Sequence, residues 1–151
     1  MICFTRIDNR LIHGQIVQGW LPQMKADKVV VISKQSSENI LMSKMMRMAL
    51  PEKYELDITD SSKVKESIKD ETKKIFLLIE DVKQLFEVAA QGVILQTVNI
   101  GNTKYEEGKK EFATGVYFNE DDLKMLSELK KQNIVFSIKA LPSSMEAKIN
   151  V

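Results

Sequence analysis

Hydrophobic residues along this chain fall into short runs, separated by longer stretches in which apolar positions recur with a helical period. The short runs predict β-strands, because they are rich in β-branched and aromatic side chains and are bounded by polar residues or glycine. Runs such as 28–33 and 74–80 are apolar at successive positions, which is typical of central strands covered on both faces. The predicted strands are residues 2–7, 28–33, 54–59, 74–80, 94–100, 115–118 and 134–141.

The stretches between these runs predict five helices, because their apolar residues share one helical face. The predicted helices cover residues 16–21, 36–50, 64–68, 82–90 and 123–129. Gly19 and Pro22 are expected to shorten or bend the first of them. Ser36, Asp81 and Asn119 stand where a side chain caps a helix, and the three acidic residues after Asn119 favour a helix start there.

Strands and helices alternate through the whole length of the chain, which indicates βαβ crossovers. The sequence therefore predicts a doubly wound α/β fold, with a mostly parallel central sheet of about seven strands and helices on both faces. We expect a single domain over residues 1–151. Ligand sites in such sheets lie where loops leave the carboxyl ends of strands. The loop after the first predicted strand carries Asp8, Asn9, Arg10 and His13.

Composition narrows the classes of function. Lys and Arg number 22 against 21 Asp and Glu, for a net charge of +1, so the charge does not favour binding to nucleic acid or to a membrane surface. The longest apolar runs are far shorter than the ~20 residues of a membrane-spanning helix. Cys3 is the single cysteine, and the first residues lack a basic leader with an apolar stretch. Both features favour a reducing cytoplasm.

The only histidine, His13, lies within the segment RIDNRLIHGQIVQGW, residues 6–20. If the first strand ends near residue 7 and the helix begins near Gly14 or Gln15, His13 stands at a helix N-terminus. Unpaired backbone N–H groups and the helix dipole favour an anion at such a position.

Charged residues around this histidine match the needs of phosphoryl transfer. Arg10 and Arg6 can add charge-assisted hydrogen bonds to phosphate-type oxygens, while the imidazole acts as the nucleophile. Asp8 can accept a hydrogen bond from Arg10 or from one imidazole nitrogen, which would fix the tautomer. The residues alone equally allow His13 to cap a helix or to fill a niche. A metal site is disfavoured, since the chain has no second histidine.

The same segment resembles the active-site signature of the enzyme IIB subunits of the mannose/fructose/sorbose family, part of the bacterial phosphoenolpyruvate-dependent sugar phosphotransferase system. That signature runs approximately Arg-(Ile/Val)-Asp-x-Arg-Leu-(Ile/Val)-His-Gly-Gln, and its histidine is the residue that is phosphorylated. The similarity extends to residues 48–51, 98–102 and 118–142 and to the total length, so it covers nearly the whole chain.

The resemblance implies a phosphoryl carrier. His13 would receive the phosphoryl group at Nδ1 from an enzyme IIA domain and pass it to a sugar carried through the membrane subunits IIC and IID. Arg10 matches the arginine that the family associates with the phosphoryl group, and Asp8, Gly14 and Gln15 match other motif positions. No metal or nucleotide cofactor is implied. The protein would contact the membrane only through that complex; the sugar and the oligomeric state, a homodimer included, stay open.

One departure from the family pattern lies after the second predicted strand, where an Asn-Asp-Glu-like loop is common and residues 33–36 here read Ser-Lys-Gln-Ser. This loop would share a sheet edge with His13, so the change is expected to affect partner or sugar preference. Two alternatives remain: a non-catalytic relative that binds a regulator, and a receiver-like signalling domain using Glu80, Asp81 and Lys139. The receiver-like alternative is weakened because residues 6–10 lack an acidic pair for Mg²⁺.

Two apolar features have competing interpretations. Met42, Met45, Met46 and Met48 are expected to pack into the core, although methionines also form adaptable docking surfaces. Trp20 is expected to pack against the sheet rather than to stack on a sugar.

Overall fold

Eight strands are present in the computed structural model, which describes residues 1–149. They are β1 (Ile2–Asp8), β2 (Lys28–Ile32), β3 (Glu55–Thr59), β4 (Ile75–Ile79), β5 (Thr97–Asn102), β6 (Lys110–Ala113), β7 (Val116–Phe118) and β8 (Val135–Ile138). Six of them form one parallel sheet in the order β3-β2-β4-β1-β5-β8, and β6 and β7 form a separate antiparallel hairpin.

Helices connect the strands of the sheet. They are α1 (Leu21–Met24), α2 (Lys34–Ser37), α3 (Ile40–Ala49), α4 (Val64–Ser67), α5 (Val82–Ala90) and α6 (Glu120–Lys131). A π-helical segment, Gln15–Trp20, leads into α1, and a short 3₁₀ turn, Ser61–Lys63, leads into α4. None of the helices in residues 1–149 is long and apolar enough to cross a membrane.

The predicted doubly wound α/β fold is confirmed, with one correction to the sheet. The central sheet has six strands rather than about seven. The segment predicted at 115–118 pairs with β6 in the separate hairpin and does not join the central sheet. Strand β6 was not predicted, because its residues Lys-Glu-Phe-Ala follow a charged, glycine-containing stretch.

Helix ends were predicted with mixed success. The helix predicted at 36–50 is two helices, because Ser33 caps α2 and Asn39 caps α3; Ser36 is therefore not the cap. Asp81 caps α5 as expected, accepting a hydrogen bond from the backbone of the third helical residue. Asn119 caps α6 in a reciprocal capping box with Asp122. These side chains satisfy backbone donors that the first helical turn leaves unpaired.

Two hydrophobic layers cover the sheet, as a doubly wound fold requires. One lies under α4, α5 and α6, and the other lies under the π-helical segment, α1 and α3. All five residues of β4 are buried, with Ile75, Leu77 and Ile79 facing the first layer and Phe76 and Leu78 facing the second. Each such side chain contributes about 1.5–3 kcal/mol through burial.

The methionines of α3 do not all enter the core, contrary to the expectation. Met46 is buried and Met42 is partly buried, whereas Met45 is 56% exposed and Met48 is 86% exposed. A helix that packs along one stripe buries only about half of its surface, and these two methionines lie on the opposite side.

The arrangement of strands places the end of β1 at the centre of the molecule. β1 lies between β4 and β5, and its last four residues are buried. The loop that leaves β1 therefore emerges at the middle of the carboxyl edge of the sheet, where ligand sites of this fold class are found.

Candidate active site

Side chains of β1 divide between the two faces of the sheet. Phe4, Arg6 and Asp8 face the layer that contains Trp20, because successive side chains of a strand alternate, and Ile7 faces the other layer. Phe4 stacks on Trp20 with ring centroids 4.8 Å apart, and the guanidinium carbon of Arg6 lies 5.3 Å from the Trp20 centroid. Trp20 is buried, and its indole N–H donates to a backbone carbonyl, so it packs against the sheet as expected.

Arg6 is fully buried and its guanidinium is saturated with hydrogen bonds. Nε and Nη2 donate to Asp8 Oδ2 at 3.2 and 3.0 Å, and Nη1 donates to Asn99 Oδ1 at 2.5 Å and to the Lys139 carbonyl at 2.8 Å. Nη2 also donates to Gln15 Oε1 at 3.1 Å. Burial lowers the pKa of Arg6, while the carboxylate beside it acts in the opposite direction. These bonds favour an orienting role for Arg6 over the direct contact with phosphoryl oxygens that the sequence also allows.

Asp8 is fully buried and hydrogen-bonds to the histidine. Its Oδ2 lies 2.8 Å from His13 Nε2. Burial is the largest influence on the pKa of Asp8 and raises it, but His13, Arg6 and Asn102 together outweigh burial, so the pKa lies below its ordinary value. The carboxylate is thus charged at neutral pH. A neutral imidazole beside it carries its proton on Nε2, since a carboxylate accepts hydrogen bonds and cannot donate one.

The other imidazole nitrogen is left without a partner. Nδ1 of His13 is buried and makes no hydrogen bond with any residue in the described part of the chain. In the Nε2–H tautomer this atom carries an unshared electron pair. Buried polar atoms without partners are uncommon and often mark functional sites.

The loop between β1 and the π-helical segment is shaped by backbone contacts. The Arg10 N–H donates to Asp8 Oδ1 at 3.0 Å, and the Leu11 N–H donates to the Asp8 carbonyl at 3.1 Å. Leu11 has φ 59°, a left-handed conformation that disfavours residues with a Cβ. The His13 carbonyl accepts from the N–H groups of Ile16 and Val17, so the helix starts at the histidine.

The structure brings four of the six predicted site residues together: Arg6, Asp8, His13 and Gln15. Gly14 is exposed in the helical region, with φ −54°. The Arg10 side chain is exposed, and none of the hydrogen bonds or ion pairs within residues 1–149 uses its guanidinium. Its predicted contact with Asp8 is made by the backbone instead.

Strand β5 contributes residues that the sequence did not single out as site residues. Asn99 and Asn102 hydrogen-bond to Arg6 and Asp8, and Gly101 lies against the guanidinium, where an added Cβ would be 1.9 Å from Nη2. These residues belong to the segment VNIGN at 98–102, which resembles the family. Two amide side chains in a largely apolar predicted strand could have indicated a site, because buried polar groups require hydrogen-bond partners.

Residues 33–36, predicted as a loop, form the cap and most of α2 at the same edge of the sheet. Ser33 is fully buried and donates to Glu80 Oε2 at 3.0 Å, whereas Lys34 and Gln35 are exposed. Glu80 thus accepts a hydrogen bond from the residue that caps α2, and Asp81 caps α5. This role offers no support for the receiver-like alternative.

Comparison with known families identifies the class of protein. Residues 2–151 match the family described as PTS system sorbose subfamily IIB component, and this chain belongs to that family. IIB components of the phosphotransferase system are sugar phosphotransferase domains, which supports a transferase role in sugar transport. The resemblance stated from the sequence is therefore confirmed.

Individual relatives match along nearly their full length. The N-acetylgalactosamine-specific phosphotransferase enzyme IIB component 1 of Escherichia coli (strain K12) is 29% identical over 153 residues, covering 98% of this chain and 96% of the relative. The sorbose-specific EIIB component of Lacticaseibacillus casei is 25% identical over 150 residues, covering 95% and 92%. The crystal structure of the PTS system N-acetylgalactosamine-specific IIB component 1 from Escherichia coli matches with a TM-score of 0.92 and 27% identity, over 99% of this chain and 100% of that one.

Proposed function

We propose that this chain is a cytoplasmic phosphoryl carrier of a sugar phosphotransferase system, a single IIB domain over residues 1–151 in which His13 is phosphorylated. The observation that carries the proposal is the hydrogen bond between Asp8 and His13 Nε2, because it leaves Nδ1 as the nucleophile. A IIA domain donates the phosphoryl group, and a sugar held by the membrane subunits IIC and IID accepts it. The mannose-specific EIIAB component of Escherichia coli (strain K12), 22% identical, supports a IIA partner through its name.

The transfer is a displacement at phosphorus in two stages. The Nδ1 electron pair of His13 forms a new N–P bond as the N–P bond of the donor phosphohistidine breaks, and the bonding pair returns to the donor imidazole. His13 then carries positive charge, which the charged Asp8 carboxylate stabilises through Nε2–H. In the second stage a sugar hydroxyl attacks the phosphorus, and the N–P bond breaks with its electron pair returning to Nδ1. The hydroxyl proton passes to a phosphoryl oxygen and from there to water.

Nδ1 of His13 must become accessible for this reaction. The atom is shielded from solvent, so a donor reaches it only after the groups that cover it have moved. We therefore propose that docking of the IIA domain exposes Nδ1.

Arg10 is proposed to bind the transferring phosphoryl group. Its exposed guanidinium has the planar pair of donors that matches phosphate oxygens, and the loop brings its backbone to Asp8.

Arg10→Lys is expected to slow phosphorylation of His13 by about tenfold, because an ammonium keeps the charge but loses one hydrogen bond worth roughly 1.5 kcal/mol. Thermal stability should not change, since the side chain is exposed. Quench-flow measurement of phosphorylation from a phosphorylated IIA domain tests this. Arg47→Lys is the matched control and should leave the phosphorylation rate unchanged. It makes the same substitution at an arginine that donates to backbone carbonyls near the end of α3. An unchanged rate in Arg10→Lys would contradict the proposed contact.

The proposed function is tested by phosphorylation in vitro. The purified protein is incubated with phosphoenolpyruvate, the general phosphotransferase components and a matching IIA domain, and intact mass and peptide maps are recorded under non-acidic conditions. We expect one acid-labile phosphoryl group on His13, absent in His13→Ala. That variant should lose only about 1–2 kcal/mol of stability, because Asp8 keeps its bonds to Arg6 and Asn102. Absence of phosphate with several family IIA domains would overturn the proposal and favour a non-catalytic relative.

A further inference from the structure

We propose that Asn102, at the carboxyl end of β5, is a positioning residue for phosphoryl transfer: it holds the Asp8 carboxylate in the orientation that keeps the His13 proton on Nε2. The inference rests on the proposed role of His13. Asn102 acts through Asp8, because its recorded side-chain bonds go to Asp8 and Gln15.

Asn102 and Arg6 bridge the same two acceptor oxygens. Nδ2 of Asn102 donates to Asp8 Oδ2 at 3.0 Å and to Gln15 Oε1 at 3.1 Å. Nη2 of Arg6 donates to the same oxygens at the same two distances. The two nitrogens and two oxygens thus form a closed ring of hydrogen bonds, in which each nitrogen donates to both oxygens. Both N–H bonds of the Asn102 amide are used, so its orientation is determined.

The surroundings of Asn102 fix its other atoms as well. Its carbonyl accepts from the Asn9 N–H at 3.1 Å, which connects β5 to the first residue of the active-site loop. Its Oδ1 faces the turn of the β6–β7 hairpin, where a Cβ at Gly115 would lie 3.0 Å away. Gly115 has φ 76°, so the turn requires glycine for its backbone and leaves room for this amide.

The orientation of Asp8 decides which imidazole nitrogen can react. While Oδ2 lies 2.8 Å from Nε2, the proton stays there and Nδ1 keeps its electron pair. If the carboxylate turns away, the Nδ1–H tautomer competes, and a protonated Nδ1 cannot attack phosphorus. Arg6 holds Oδ2 of Asp8 from one side of the ring and the Arg10 N–H holds Oδ1, whereas Asn102 holds Oδ2 from β5. The Arg6–Asp8 ion pair does not involve Asn102, so we expect the ion pair and the fold to survive its replacement.

Asn102→Asp is the sharpest test, because it keeps the shape of the side chain and replaces the donor by an acceptor beside Asp8. We expect the rate constant for phosphoryl transfer from phosphorylated IIA to fall by about tenfold or more, with KM for IIA unchanged. The chain has one histidine, so ¹⁵N NMR at a pH where the imidazole is neutral reports His13 without overlap. Wild type should show the Nε2–H tautomer, and the variant a larger Nδ1–H fraction.

Controls separate positioning from folding. Asn119→Asp makes the same chemical change at a helix cap, where both side chains serve equally, and should leave rate and tautomer unchanged. If Asn102→Asp unfolds, Asn102→Ala removes both donors without adding a second carboxylate, and is expected to shift the tautomer in the same direction. Unchanged transfer and tautomer in a folded variant would overturn the inference.

The tautomer measurement also distinguishes this inference from the proposed function. If wild-type protein accepts no phosphoryl group, the proposed function fails, yet a tautomer shift in the Asn102 variants would still establish that Asn102 positions Asp8 and His13. If wild type is phosphorylated on His13 and the variants match it in both measurements, only the role of Asn102 fails.

Discussion

Gly101→Ala is expected to lower the free energy of unfolding by about 3–5 kcal/mol, because it displaces a buried charge from its partner. A Cβ at this position would lie 1.9 Å from Arg6 Nη2 and 2.0 Å from its Cζ. The guanidinium cannot move toward solvent, since Arg6 is fully buried and bonds Asp8 and Asn99. The side chain would have to break those bonds or push β5 away from β1. Urea denaturation of the variant and wild type measures the difference.

Gly14→Ala is the matched control for this steric argument. Apart from its chain neighbours and its own helical turn, no atom of the described residues lies within 4 Å of a Cβ built at Gly14, and its backbone is helical, with φ −54°. Alanine there should raise stability slightly, by about 0.4–1 kcal/mol, because it reduces the entropy of the unfolded chain. The same glycine-to-alanine change is thus expected to act in opposite directions at the two positions. Equal stability of Gly101→Ala and wild type would contradict the close approach of β5 to Arg6.

Local patterns predicted the features that depend on local physics. The strands predicted at 28–33 and 74–80 correspond to β2 and β4. An uninterrupted apolar run indicates a strand buried on both faces, whatever its position in the sheet. The cap at Asn119 was predictable for a similar reason, since its hydrogen bond reaches only three residues along the chain. Asp8 and His13 are five residues apart, so their meeting at the end of one strand also followed from the sequence.

Features that depend on tertiary structure were not predictable in this way. Arg6 is charged, and a charge within a strand ordinarily indicates an exposed face. It is buried because Asp8, two residues later, shares its face and Asn99 approaches from β5. Asn102 follows Asp8 by 94 residues, and their contact exists only because β5 pairs with β1. No spacing rule within one segment reports which strands become neighbours.

The free energy of unfolding is expected to fall by about 3–5 kcal/mol in Asp8→Asn at neutral pH, because the buried guanidinium of Arg6 loses its counter-charge. Phosphoryl transfer should fall by about 100-fold or more, since an asparagine NH₂ can donate to Nε2 and so favour the Nδ1–H tautomer. Arg6→Met combined with Asp8→Asn removes both charges and should be more stable than Asp8→Asn alone.

The loss of stability in Asp8→Asn should depend on pH in a defined direction. Burial raises the pKa of Asp8, but His13, Arg6 and Asn102 together lower it by more, so the folded pKa lies below the unfolded value of about 3.9. The stabilisation by the carboxylate is therefore complete above that unfolded value and is lost as the pH falls through the folded pKa. Urea denaturation between pH 7 and pH 2 should show the gap between wild type and Asp8→Asn narrowing only below about pH 4. Other acidic residues with lowered pKa values, such as Asp60 and Asp70, are present in both proteins and cancel in this difference. A gap that stays constant over the whole range would show that the folded and unfolded pKa values of Asp8 are equal, and would contradict a carboxylate stabilised by His13, Arg6 and Asn102.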